Sequence, residues 1–291
     1  VDALAQLCDL IPRLKALAPR GSWLPGCVLL ASQDVGAPAC TRVEPMLILV
    51  AAGQKRTMLA GSDLRYGDGE YLIYSMDLTV TGQITRADPF LAVGLTLRPD
   101  LVAELTPEAE PFIGPAMGVA KAGEDLLDAV LRLLRLVERP RDFPVLSPGL
   151  EREIHWRLLT GPLGALVRQV GRADDRFALV RRAARWIENR YDQPIRAGDL
   201  ARHIDVSVPT LNRHFREVTT MSPVQYQKQL RLQRARILLA AAPDDIAATA
   251  HAVGYESPSQ FSREYRRLFG LSPSEDARRQ ASLSPEPPPF H

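Results

Sequence analysis

Apolar and polar positions divide the chain into three textures. Residues 1–18 place Leu4, Leu7, Ile11 and Leu14 at helical spacing, which predicts a short amphipathic helix. From Trp23 to about Pro99 the pattern changes to short apolar runs at 27–30, 46–50, 56–59, 71–74, 78–84 and 90–97. Turn residues separate them: Gly53, Gly61-Ser62-Asp63, Gly67-Asp68-Gly69 and Arg86-Ala87-Asp88-Pro89. Strands of that length and spacing predict a β-sandwich or barrel. Beyond Pro99 the pattern is helical to the end. Residues 125–139 carry a broad stripe of Leu126, Leu127, Val130, Leu133, Leu134 and Val137, and 150–170 continue it with a break at Gly161-Pro162. A wide stripe faces a core. Helices lying between two domains equally suit a dimer interface, and the pattern leaves both readings open. The tail from Ser282 is Pro-rich and predicts disorder.

A length of 291 residues suits two domains. The formal net charge is only +2, which taken alone speaks against a nucleic-acid partner. The total averages two unlike halves: residues 1–172 carry a net −2 and residues 173–291 a net +4. No apolar run approaches the roughly 18 residues of a membrane span. The opening Val1-Asp2-Ala3 lacks a basic signal-peptide region, so a cytoplasmic location is expected.

The three cysteines, Cys8, Cys27 and Cys40, show no C-x-x-C spacing and read as reduced thiols, the sharper alternative being a sensor at Cys27 or Cys40. All five histidines lie at or beyond His155. The front half therefore cannot house a Ser-His or Cys-His catalytic pair, and a transition-metal site there would be unusual. No catalytic residue, metal ligand or cofactor is expected.

The main signal is an internal repeat. The segment from Arg213 to Pro223 realigns fifty residues later with Arg263 to Pro273, pairing Arg213 with Arg263, Phe215 with Tyr265, Arg216 with Arg266 and Ser222-Pro223 with Ser272-Pro273. Upstream, Ala201 pairs with Ala250, Val206 with Tyr255, and Asp205 falls opposite Gly254. Each unit predicts a helix, a tight turn and a second helix. Gly254 supplies the left-handed turn without steric cost, whereas Asp205 tolerates it less well. Ser207 and Ser257 are expected N-caps, with Gln260 closing a capping box on Ser257. Leu211 and Phe215, like Phe261 and Tyr265, sit at i,i+4 and are expected to be buried. The polar residues of the second helices fall on other faces. In a helix-turn-helix the second helix enters the major groove, where Asn pairs with adenine and Arg with guanine.

Residues from about 176 to 280 resemble the DNA-binding domain of the AraC/XylS transcription regulators. The stretch from Gly254 to Pro273 carries most of the resemblance, and Arg231-Leu-Gln-Arg-Ala-Arg-Ile-Leu-Leu239 matches the helix that links the two units. The resemblance implies two recognition helices in successive major-groove segments of double-stranded DNA, and contact with RNA polymerase. By motif position the DNA-binding candidates are Pro209, Thr210, Asn212, Arg213 and Arg216, then Ser259, Gln260, Ser262, Arg263 and Arg266. Asp205 and Thr220 stand where the family usually has Gly, so the first unit is expected to be more strained or differently shaped there, and its docking geometry is left open.

The front half is similar to the N-terminal domain of one branch of the same regulators, through Leu24-Pro-Gly26, Glu44-Pro45, Gly53-Gln-Lys-Arg56, Tyr71-Leu72 and Leu78-Thr-Val-Thr-Gly82. That domain is cupin-like. Without histidines, the barrel is expected to hold a small organic effector. Lys55 and Arg56 are candidate anion anchors, of which only one can face inward. The segment from Asp77 to Gly82 also matches half of a cyclic-di-GMP motif, the arginine half being matched only at Arg135-x-x-x-Arg139. Arg56, Asp77 and Thr79 are the effector-binding candidates.

The expected fold is α+β and multidomain. A cupin-like β-barrel with bridging helices spans 1–172, an all-α double helix-turn-helix spans 173–281, and a disordered tail spans 282–291. The expected function is a cytoplasmic DNA-binding regulator, an activator working as a homodimer under a small organic effector. The alternatives are a cyclic-di-GMP-responsive regulator of the same class and a cupin-type enzyme fused to a DNA-binding domain.

Overall fold

The computed structural model describes residues 2–17, 26–36, 38–59, 62–106, 114–170, 175–242 and 245–283. The junction at 171–174, the expected tail from residue 284 and the Leu24-Pro25 positions lie outside them. The front region opens with helix α1 (Ala3–Leu17), whose Leu7, Leu10, Ile11 and Leu14 are buried. Seven strands follow: β1 (Cys27–Ser32), β2 (Ala39–Val43), β3 (Met46–Leu59), β4 (Ser62–Gly67), β5 (Glu70–Tyr74), β6 (Leu78–Thr96) and, after helix α2 (Pro99–Leu105), β7 (Met117–Lys121). They form one antiparallel sheet in the order β1-β6-β3-β5-β7, with β2 also on β6 and β4 also on β3.

Two expected breaks are not breaks. The runs at 46–50 and 56–59 are a single strand, and so are those at 78–84 and 90–97. Gly53 is the reason on β3. It takes φ +91 where the β3–β6 register shifts, and a Cβ there would lie 2.6 Å from the Arg86 carbonyl oxygen. Only glycine permits that approach, so the strand bends and continues. The segment beyond Pro99 is not wholly helical either, since β7 pairs with β5 from Glu70↔Lys121 to Tyr74↔Met117.

Helices α3 (Glu124–Arg135), α4 (Phe143–Thr160) and α5 (Gly164–Arg168) cover one face of the sheet together with α1. Leu126, Leu127, Val130, Leu133, Leu134 and Leu158 are all buried there, and Arg132–Glu153 and Arg157–Asp125 ion pairs tie α3 to α4. The stripe on α3 is therefore core-facing. On α4, Val145, Leu146 and Trp156 remain exposed.

Seven helices make the rear region: α6 (Asp175–Glu188), α7 (Ala197–His203), α8 (Val208–Thr219), α9 (Pro223–Ala241), α10 (Ile246–Ala252), α11 (Pro258–Phe269) and α12 (Pro273–Leu283). Its apolar residues split into two groups. Those of α6, α7 and α8, with Tyr226 of α9, join the second face of the sheet in one continuous core containing Ile48, Tyr66, Tyr74 and Val80. Those of the later part of α9, with α10, α11 and α12, form a separate core around Phe261 and Tyr265. No helix among the described residues is long and apolar enough to cross a membrane.

Candidate nucleic-acid interface

The two helix-turn-helix units are built by the same local rules. In the first, α7 ends, Asp205 turns the chain at φ 61, and α8 begins; in the second, α10 ends, Gly254 turns at φ 87, and α11 begins. The same backbone bond closes both turns, Val206 N–H to the Ala201 carbonyl at 3.0 Å and Tyr255 N–H to the Ala250 carbonyl at 2.9 Å. Ser207 and Ser257 accept from the backbone N–H of Thr210 and Gln260 at 3.2 and 3.3 Å, satisfying donors that a helix start leaves orphaned. The expected box on Ser257 does not form, because the Gln260 amide donates to Glu264 at 3.2 Å instead. A reciprocal box forms at the start of α9, between Ser222 and Gln225. Both second helices end in the left-handed conformation, on Thr220 (φ 63) in one and Gly270 (φ 79) in the other.

The faces separate as the spacing predicts. Leu211, Phe215, Phe261 and Tyr265 are fully buried. Pro209, Asn212, Arg213 and Arg216 recur at i, i+3, i+4 and i+7, as do Ser259, Ser262, Arg263 and Arg266, so each set shares one outward face. Pro209, Arg213, Arg216, Ser259, Gln260, Arg263 and Arg266 are exposed, and Thr210, Asn212 and Ser262 are half-buried. Thr210 shares a 2.8 Å hydroxyl contact with Ser207 beside the cap. Among the described residues Arg213, Arg216 and Arg263 make no ion pair, whereas Arg56, Arg132 and Arg236 are each held by a carboxylate. Guanidinium forks left unoccupied on a helix face are suited to phosphate oxygens and to the O6/N7 edge of guanine.

The first unit is fastened to the sheet. Glu188 of α6 accepts from the Thr79 hydroxyl of β6 at 2.6 Å and from the Tyr226 hydroxyl of α9 at 3.0 Å. Arg185 pairs with Asp77 at 2.8 Å, and the Ala116 N–H donates to the Val218 carbonyl at 3.1 Å. Two of the effector candidates, Asp77 and Thr79, are thus engaged in this joint. The third, Arg56, forks onto Asp63 with two bonds of 2.6 Å and lines a cleft of about 470 Å³ between the sheet and the second unit, where Met58, Leu268 and Phe269 supply apolar wall. The structure therefore does not bring the three together. Arg135 bonds Gln6 of α1, so the two halves of the cyclic-di-GMP motif are not assembled either.

Lys55 packs beside Gly82, and burial pulls its ammonium below the ordinary lysine range. Near it the Thr57 hydroxyl contacts Tyr66 at 3.3 Å and Tyr74 at 3.5 Å, and burial pushes the Tyr74 phenol up to about 12. Burial likewise pushes the Cys27 thiol up to about 12, which suppresses the thiolate a sensor needs. The Cys40 side chain lies outside the described residues.

The joint is not legible in the sequence. Thr79 and Glu188 are 109 residues apart, and neither belongs to a motif that names the other.

Comparison with known proteins follows the same division. Residues 24–166 match the family model of the AraC-type transcriptional regulator N-terminus, and residues 200–279 match that of a helix-turn-helix domain. The chain is 34% identical over 88 residues to the HTH-type transcriptional activator RhaS of Pectobacterium carotovorum, covering 30% of this chain and 32% of that protein. It is 35% identical over 103 residues to a probable thc operon regulatory protein of Rhodococcus erythropolis, covering 34% of this chain and 31% of that one. The chain thus spans about a third of the length of these curated relatives. Among solved structures, ToxT of Vibrio cholerae O395 aligns over 87% of this chain and 98% of its own, at 9% identity and a TM-score of 0.49. With both of its halves matched in order, the chain belongs to the AraC/XylS family of transcription regulators.

Proposed function

We propose that this chain is a sequence-specific DNA-binding transcription regulator and not an enzyme, reading two major-groove segments with α8 and α11. One observation carries the reading. The same outward face recurs on both second helices, with exposed arginines at matching positions, Arg213 and Arg263, that no carboxylate among the described residues neutralises. In this reading Asn212 and Arg213, with Pro209, Thr210 and Arg216 around them, serve one segment, and Ser259, Gln260, Ser262, Arg263 and Arg266 serve the next. The net charge of the rear half is only +4, so a few placed arginines rather than a broad basic field supply the phosphate contacts.

The test is binding of the purified chain to sites selected from random duplex DNA, as a function of salt. Binding weakens as salt rises, and R213A and R263A each lose about 1–3 kcal/mol on the selected site. Salt-independent behaviour, or two variants that bind as the parent does, would sink the reading.

The front half is proposed to hold a small organic effector whose occupancy is transmitted through the Thr79–Glu188–Tyr226 joint. The cleft beside Arg56 has the size of a small-ligand site. A thermal-shift screen of aromatic acids, aldehydes and cyclic dinucleotides should yield a stabilising class whose shift falls in R56A. A homodimer through the exposed Val145, Leu146 and Trp156 of α4, action as an activator and contact with RNA polymerase complete the proposal. Light scattering of the parent and of W156D tests the dimer, and a monomeric parent excludes it.

A further inference from the structure

The linker helix α9 carries an arginine that grips both the loop leading into the first unit and the turn of the second. Arg231 donates from Nε to the Tyr191 carbonyl at 2.5 Å, from Nη2 to the Gln193 carbonyl at 2.8 Å and from Nη1 to the Gly254 carbonyl at 2.7 Å. Tyr191 and Gln193 lie in the loop between α6 and α7, which leads into the first unit, whereas Gly254 is the turn of the second. One turn earlier on α9, the Gln227 amide donates to the same Tyr191 and Gln193 carbonyls at 2.9 and 2.6 Å. The loop also joins both cores, since Tyr191 packs against the second and Ile195 against the first. The fit on the far side is tight. A Cβ at Gly254 would stand 2.0 Å from the Asp192 carbonyl oxygen and 2.8 Å from Arg231 Nη2.

A guanidinium is suited to this task. Its planar fork offers rigid, divergent donors, and three carbonyls lying in different directions need that geometry rather than a point charge. The carbonyls belong to segments that no helix or strand ladder satisfies; Arg231 reaches all three, sharing those of Tyr191 and Gln193 with Gln227.

We propose that Arg231 is a positioning residue for DNA recognition, a strut that fixes the separation and phase of α8 and α11 and so sets the spacing of the two DNA segments the protein accepts. The proposal rests on the DNA-binding reading above. It makes a demand that a general role in stability does not. Loss of the strut must relax the spacing preference while leaving the reading of each single segment intact. One inserted base pair moves the second segment by about 3.4 Å and turns it by about 35°, so a rigid pair of helices registers it.

The experiment uses the full chain and a two-segment site selected with the parent protein. Affinity is measured on that site, on versions with one base pair inserted or deleted between the segments, and on duplexes carrying one segment only. The parent should lose at least tenfold on the shifted sites. R231M should bind single segments within twofold of the parent and discriminate the shifted sites by less than threefold. R231K keeps the charge without the fork and should fall with R231M, as should Q227L to a smaller degree. If R231M fails to fold by circular dichroism, R231K decides the matter. A variant that discriminates spacing as the parent does, or that loses single-segment and two-segment binding in equal proportion, overturns the proposal. A parent that binds no DNA at all sinks the DNA reading instead, and the two failures are thereby told apart.

Discussion

The two helix-turn-helix units share caps, turn bonds and outward faces, but they are supported differently. The first has a non-glycine residue at both left-handed positions, Asp205 and Thr220, and its core runs continuously into the sheet. The second has glycine at both, Gly254 and Gly270, and a core of its own. A residue with a Cβ in the left-handed region is strained by roughly 1–2 kcal/mol. The unit that bears this strain is the one with an outside support, through Glu188, Asp77 and Val218. The unit for which the described residues show no such bond to the sheet keeps the unstrained turn, and the neighbouring loop packs so closely that glycine is required there. Repetition in sequence thus conceals a division of labour, one unit answering to the front domain and the other tied to the first through α9.

Filling the glycine of the second turn should break this comparison most severely. G254V places a branched side chain at φ 87 and against the Asp192 carbonyl. Strain and overpacking together predict a loss of about 3 kcal/mol in chemical denaturation, whereas D205G at the equivalent place should be neutral or mildly stabilising. Equal losses in the two variants would show that the turns are interchangeable after all.

Cutting the support of the first unit comes next. E188A leaves the buried Thr79 and Tyr226 hydroxyls without their shared acceptor and should cost about 2 kcal/mol. E188Q keeps an acceptor oxygen and should cost less. A denaturation midpoint unmoved by E188A would mean that the joint carries no stability.

Acid sharpens the comparison from the other side. Burial alone would raise the Glu264 carboxyl, but hydrogen bonds from Lys228, Tyr255 and Gln260 outweigh it and hold the group below its ordinary 4.5. The folded value is the depressed one, so this contribution is complete above pH 4.5 and is lost as the pH falls through the folded value. The parent should therefore lose stability more steeply than E264Q below pH 4.5, and superimposable acid limbs would contradict it.

The smallest effect is expected at the C-cap of α8. T220G relieves a β-branched residue at φ 63 and should stabilise by about 1 kcal/mol or less, part of the gain being offset by the greater freedom of glycine in the unfolded chain. Destabilisation would show that the Thr220 hydroxyl, which donates to the Thr219 carbonyl at 2.6 Å, matters more than its backbone strain.

What was legible in the sequence was local. Ser207, Ser257 and Ser222 announce helix starts, Gly254 announces a turn, and the i,i+4 pairs Leu211/Phe215 and Phe261/Tyr265 announce buried faces, because each works through neighbours within one or two helical turns. The sheet was readable only in outline. Gly53 looks like a strand terminator, but it is the residue that lets β3 bend against Arg86 and continue. The five residues of β7 carry too little alternation to stand out among helices. The adjacent cations show the same limit. Strand alternation says that Lys55 and Arg56 diverge, but not that Arg56 spends its fork on Asp63 or that Asp77 and Thr79 face the rear helices. Those facts depend on partners brought from a distance, and so does the grip of Arg231.

The divided core also bears on how such a protein can be recombined. The second unit, closed on its own apolar residues, can be exchanged for another of its kind if the contacts of α9, the loop at 191–193 and the wall that Leu268 and Phe269 lend to the cleft beside Arg56 are kept. The first unit cannot travel so lightly. Its apolar residues finish on the sheet, so a hybrid that joins it to a foreign front domain must also reproduce the surface around Asp77, Thr79 and Ala116. A change among the buried apolar residues of the second helix-turn-helix is therefore less constrained by the front half than a change among those of the first.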